Sequence, residues 1–147
     1  MLLSVLIAAR EEEYLEKTIE NVLERAQGET EVIVVLDGAW PKEPLPDNPK
    51  VTLIHHAVSI GQRAAINEAA RVARGKYIMK LDAHCAVDEG FDVKLAEDCE
   101  YDWTVVPRMF TLFVRLNHCN ACDVEFATSH AKCPKCESTD LTEVPAW

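Results

Sequence analysis

EVIVVLDG, residues 31–38, is a run of β-branched and aliphatic side chains with no polar alternation, closed by an Asp-Gly pair. A strand wetted on one face alternates, whereas one covered on both faces does not, so this run predicts a buried strand of a parallel sheet ending at Asp37. Upstream, Ser4 to Ala9 is equally apolar. Between them Tyr14, Leu15, Ile19, Val22, Leu23 and Ala26 share one helical face, and Gly28 is expected to close that helix as a left-handed C′ residue. The order is β-α-β. Downstream, Pro41, Pro44, Pro46 and Pro49 crowd one connection, which must be an irregular loop. Val51–His55 reads as a third strand, Gly61–Arg74 as a second helix with Ile66, Ala69, Ala70 and Ala73 inward and Gly75 stopping it, and Tyr77–Leu81 as a fourth strand. A short helix around Phe91–Glu97 and a strand around Thr104–Phe110 are expected to complete the unit.

Strands alternating with helices specify an α/β fold with a mostly parallel sheet and flanking helices. The 147 residues suit one domain with a small appendage, and 48% hydrophobic content supports a core. A formal charge of −10 argues against a chain-wide grip on nucleic acid or anionic lipid. The longest apolar run, Met1–Ala9, is too short to span a bilayer and lacks a positively charged leader, so a cytoplasmic chain without a membrane partner is expected.

Ligands of parallel α/β sheets bind at the carboxyl ends of the strands, which places Ala8, Arg10, Asp37, Asp82 and His84 along one rim. In Asp82-Ala83-His84 a carboxylate and an imidazole two positions apart leave the sheet together, a donor pair suited to Mn²⁺ or a similar divalent ion such as Mg²⁺. The triplet alone fits a capping Asp82 and a surface His84 as well. Arg63, beside Gly61 and Gln62 before the second helix, is a cation in reach of a diphosphate or simply a solvated side chain.

The blocks SVLIAAREEEYLEKTI, EVIVVLDG, GQRAAINEAARVARGKYIMKLDAH and VVPRM, in that order, resemble the nucleotide-sugar-binding half of a GT-A glycosyltransferase of the family 2 type. The likeness covers residues 2–110, about three quarters of the chain. The family's strand-end block is usually Asp-x-Asp. In this chain it is Asp-x-His, and LDAHC with the following Gly90-Phe91 is similar to the matching stretch of polypeptide N-acetylgalactosaminyltransferases. The resemblance implies metal-dependent transfer of a sugar from a nucleoside diphosphate donor, usually UDP-linked, to an acceptor that the sequence does not identify. It implies that Asp82 and His84 hold the divalent ion and that Asp37 accepts a hydrogen bond from the base. Ala8 and Arg10 would border base and ribose, Glu12 would stand for the acidic member of the family's Asn-Glu pair, and Arg63 would face the diphosphate. The acceptor half and its general base have no counterpart in this chain, so no catalytic base is assigned. The alternative is a non-catalytic adaptor that keeps the fold.

From about Asn117 the chain changes character: Cys119-x-x-Cys122, ten residues, then Cys133-x-x-Cys136. Four thiolates in two knuckles suit a closed, structural Zn²⁺ site, and a segment this short needs the metal to fold. The expected division is a nucleotide-sugar-binding domain over 1–112 and a zinc ribbon over 113–147. Neither knuckle carries the usual following glycine, Asp123 and Glu137 standing there, so irregular turns are expected. Three basic residues against five acidic ones (115–147) disfavour nucleic acid and favour a protein partner, with Phe126 and Trp147 as apolar contacts.

Overall fold

The computed structural model describes residues 1–110 and 115–145. The chain forms two compact units, Met1–Arg108 and Met109–Trp147. The boundary expected between 112 and 113 lies outside the described residues, as does Trp147.

In the first unit, strands β1 (Leu3–Ala9), β2 (Thr30–Asp37), β3 (Val51–His56) and β4 (Tyr77–Leu81) form one sheet in the order β3-β2-β1-β4, every neighbouring pair parallel. Side chains alternate across the sheet. Val5, Ile7, Val32, Val34 and Leu36 join Leu15, Ile19 and Val22 of helix α1 (Leu15–Arg25), while Leu6, Ile33 and Val35 meet Ala65 and Ala69 of helix α2 (Gln62–Val72). Both faces of β1 and β2 are thereby buried, which is why their sequences do not alternate. Each buried aliphatic side chain contributes roughly 1.5–3 kcal/mol. A third helix, α3 (Phe91–Asp98), adds Phe91 to the α1 side.

Two glycines act differently from expectation. Helix α1 closes with Ala26 in an extended conformation, not with a left-handed Gly28. Gly28 leaves room for neighbouring side chains, since a Cβ there would lie 2.7 Å from Leu2 Cδ2, which would have to shift. Helix α2 likewise ends at an extended Ala73, and a Cβ on Gly75 would lie 2.5 Å from the backbone nitrogen of Ser4. The predicted strand over Thr104–Phe110 is also absent: residues 103–110 have no regular structure. Pro107 removes a ladder donor at its centre, and β4 pairs with β1 alone among the described strands.

The amino ends of the strands are fastened by two buried carboxylates. Glu31, 1% exposed, accepts bonds from Ser4 Oγ at 2.7 Å, from the Arg74 amide at 2.8 Å and from Arg74 Nε at 2.9 Å. Asp92 accepts from the Gln27 and Gly28 amides and from Thr30 Oγ1 at 3.0, 2.8 and 2.7 Å. Burial alone would raise both acids, yet these donors hold each below its ordinary value. A carboxyl depressed by folding stabilises the protein above its unfolded pKa and loses that contribution as pH falls through the folded value. The urea midpoint is therefore expected to stay level from about pH 8 to about 5 and to fall below about pH 4. An unchanged midpoint at about pH 3 would contradict this account.

The second unit is an antiparallel sheet of β5 (Arg115–Cys119), β6 (Val124–Ala127) and β7 (Leu141–Pro145) in the order β6-β5-β7. No helix among the described residues is long and apolar enough to cross a membrane.

Candidate functional site

Because all four strands are parallel, Ala9, Asp37, His56 and Leu81 end at the same rim, opposite the Glu31 and Asp92 fastenings. Asp82 and His84 follow β4 directly. Their turn is held from α1: Thr18 Oγ1 donates to the Ala83 carbonyl at 3.0 Å and accepts from the Cys85 amide at 3.2 Å, and Asn21 Oδ1 accepts from the Val87 amide at 2.7 Å. Thr18 and Asn21 escaped the sequence reading, since polar residues within a helix carry no motif.

The turn leaves the candidate ligands open to solvent. Asp82 is 41% exposed and His84 58%. Lys80 Nζ donates to Asp82 Oδ1 at 2.7 Å, an exposed pair of the kind worth ~1 kcal/mol or less. His84 Nδ1 lies 3.2 Å from Glu12 Oε2, so the chain brings Glu12 to the imidazole from the loop after β1. The donor chemistry fits a divalent ion: a carboxylate and an imidazole whose Nε2 is uncommitted, with only an exposed lysine competing for them among the described residues.

Asp37 sits differently. Only 5% exposed, it accepts from Ser59 Oγ at 2.7 Å, the Ile60 amide at 2.6 Å and the Gly61 amide at 3.0 Å. Burial pushes it up, but these donors, helped by the charge of Arg10, bring it below the ordinary aspartate value. A carboxylate offers about four lone-pair directions, and the loop 59–61 takes three of them. Asp37 thus fastens the loop that leads into α2, on whose first turn Arg63 stands exposed. Ala8 is partly buried at the end of β1, paired in register with Val35.

Two further contacts lie beside this rim. His56 Nε2 meets Glu68 Oε2 of α2 at 2.5 Å, and the Trp40 ring stacks on His55 with centroids 4.4 Å apart. Trp40 is 63% exposed and lines a cavity of about 320 Å³ with Pro41, Lys42, Glu43, Pro44, Leu45 and Leu53. An indole inside a proline-rich loop was the legible signal for it.

In the second unit the Sγ atoms of Cys119, Cys122, Cys133 and Cys136 all lie within 4.8 Å of one another. The closest pairs, Cys119 with Cys136 and Cys122 with Cys133, are 3.5 Å apart, far beyond the ~2.05 Å of a disulfide and near the ~3.8 Å edge of a tetrahedron with Zn–S bonds of ~2.3 Å. The cluster is compatible with a small zinc site. Contrary to expectation, the knuckle turns are regular and alike. Asp123 (φ 58°) and Glu137 (φ 60°) adopt the left-handed conformation without glycine, and their amides donate to the carbonyls of Cys119 and Cys133, both at 2.9 Å. That conformation costs a residue other than glycine about 1–2 kcal/mol. Burial would raise the Cys133 thiol, but the Lys135 and Cys136 amides bring it down to about 6.

Comparison with known proteins places this geometry. No curated protein matches the chain. Among solved structures, the crystal structure of S. aureus TarS 1-349 matches with a TM-score of 0.52 and 19% identity. The match covers 67% of this chain and 32% of that one, so this chain spans about a third of its length and shares its fold. The family model described as Glycosyl transferase family 2 matches residues 4–122, from the start of β1 through the first cysteine knuckle. A parallel sheet with its polar rim, matched over most of its length by that model, makes the chain a member of glycosyl transferase family 2.

Proposed function

We propose that the first unit is the donor-binding part of a metal-dependent glycosyltransferase that takes a nucleoside diphosphate sugar, UDP-linked, as donor. The observation that carries this reading is the placement of Asp82 and His84 directly after β4 at the carboxyl rim, with Glu12 beside His84 and Asp37 fastening the adjoining loop. Asp82 and His84 would hold Mn²⁺ or Mg²⁺. Such an ion would neutralise the charge that develops on the leaving group. The chain's own contribution is positional. Thr18 and Asn21 fix the turn that carries the ligands. The fourth lone-pair direction of Asp37 would meet the base, Ala8 and Arg10 would flank it and the ribose, and the guanidinium of Arg63 would offset diphosphate charge. No residue of this chain is assigned as the base that would deprotonate the acceptor, and the chain spans about a third of the length of the solved structure it matches.

Titration of UDP into the full chain tests the reading. Binding is expected to depend on Mn²⁺ and to weaken at least tenfold, about 1.4 kcal/mol, in Asp82→Ala. Equal binding with and without the ion, in both proteins, would refute it. Slow hydrolysis of one among UDP-, GDP- and dTDP-sugars would then name the donor.

The cysteine unit would hold one structural Zn²⁺ through Cys119, Cys122, Cys133 and Cys136. A second reading is an adaptor which has lost transfer chemistry and binds a protein or nucleic acid partner through this unit, a compact sheet of its own. An adaptor would leave every donor sugar unhydrolysed.

A further inference from the structure

We infer that Glu12 is a positioning residue for His84: its carboxylate accepts a hydrogen bond from Nδ1–H and so presents the lone pair of Nε2 to a divalent cation at the rim. The inference rests on the metal-binding reading above and adds to it a residue that touches no ligand. The observation is the 3.2 Å approach of Glu12 Oε2 to His84 Nδ1, across 72 positions of sequence.

A neutral imidazole has one N–H and one lone pair, and the partner of one nitrogen decides which nitrogen is left to bind metal. A carboxylate can only accept. Beside Nδ1 it selects the Nδ1–H tautomer, leaving Nε2 as the ligand atom, and it raises the basicity of that atom. His84 needs such a partner because its side chain is 58% exposed and packing alone does not fix its ring. Glu12 is itself held near the rim, its side chain 33% exposed, in the loop whose Glu11 adopts a left-handed φ of 56°. That turn directs the chain from the end of β1 into α1, the helix whose Thr18 pins the other side of the His84 turn. Both partners are therefore set by the same β1-α1 connection. The other acid at this corner, Asp82, is engaged by Lys80 through Oδ1, and no bond joins it to the imidazole among the described residues.

Two measurements on the full chain test the inference. In long-range ¹H–¹⁵N spectra of the metal-free protein at about pH 8, above the ordinary histidine range, His84 is expected as the Nδ1–H tautomer in wild type and Glu12→Gln. Glu12→Ala is expected to return it to the Nε2–H form that solvated histidines favour. The side-chain carbonyl of Gln still accepts from Nδ1, which makes it the rescuing variant. An Nε2–H tautomer in wild type overturns the inference. For Mn²⁺ binding in the presence of UDP, read by the loss of the free-ion paramagnetic resonance signal, Glu12→Ala is expected to weaken affinity 10–100-fold and Glu12→Gln only a few-fold. Equal weakening in both variants overturns the inference, because the charge of Glu12 and not its bond to His84 would then matter. Absence of Mn²⁺ binding in wild type, with the Nδ1–H tautomer present, overturns the metal-binding reading and with it the ligand role of Nε2, leaving only the fixed tautomer.

Discussion

Cys133→Ser is expected to unfold residues 115–145 while leaving residues 1–108 folded. The second unit has a three-stranded sheet and almost no apolar interior, its buried residues among those described being Cys119 and Cys133 themselves. So small a segment does not bury enough surface to offset its chain entropy. A tetrathiolate Zn²⁺ site contributes about 10–16 kcal/mol of apparent binding free energy at neutral pH, which becomes folding free energy when no site exists in the unfolded chain. Loss of one thiolate, or removal of the ion by a chelator, should collapse the amide dispersion of the second unit and take bound zinc from one per chain to none. The first unit should keep its spectrum, because its core residues all lie between Leu3 and Phe91. Persistence of the β5-β6-β7 signals in excess chelator would show that the small sheet supports itself.

The second large effect is expected at Glu31. Glu31→Ala removes the acceptor shared by Ser4 Oγ, the Arg74 amide and the Arg74 guanidinium, and it opens a void beside β1. Ser4 is fully buried and has no water to replace the lost carboxylate, whereas Arg74, 65% exposed, can be rehydrated. Breaking a buried charged network of this kind costs about 3 kcal/mol, or on the order of 10 °C in Tm for a unit of this size. Arg74→Ala should cost less, since Glu31 keeps Ser4 and the backbone amide at position 74. Differential scanning calorimetry orders the two. Equal Tm values for the variants would mean that the exposed guanidinium, and not the buried acceptor, supplies the stability.

The architecture was readable because burial on both faces leaves a plain mark on sequence: EVIVVL and SVLIAA carry no alternation, and the two helices carry apolar stripes. The end of α1 was read differently because glycine has two uses, positive φ and absence of a side chain, and Gly28 and Gly75 serve the second. A local pattern does not distinguish them; the neighbour from a distant strand does. Residues 104–110 look like a strand by composition, but a strand exists only when paired, and none of the described strands pairs with this segment. At the rim, the placement of Asp82 and His84 directly after β4 was legible from the strand-helix order. The supports were not. Thr18, Asn21 and Ser59 act across 22 to 66 positions, and side chains that fix a turn from another element leave no spacing to read; Glu12 was named through the family resemblance alone. The four cysteines were the reverse case, a spacing so specific that their convergence needed no tertiary information.

The strand nearest the amino terminus lies inside the sheet, flanked by β2 on one side and β4 on the other. During synthesis β1 emerges before both of its partners, finds one after some thirty residues and lacks the second until residue 77 has followed. Until then an apolar ribbon with an open hydrogen-bonding edge is presented to the cell, a species prone to association with other nascent chains. Ribosome pausing within the connection between β3 and β4 would prolong that exposure, so translation speed over this stretch, and not only the final thermodynamic balance, should govern the yield of folded protein.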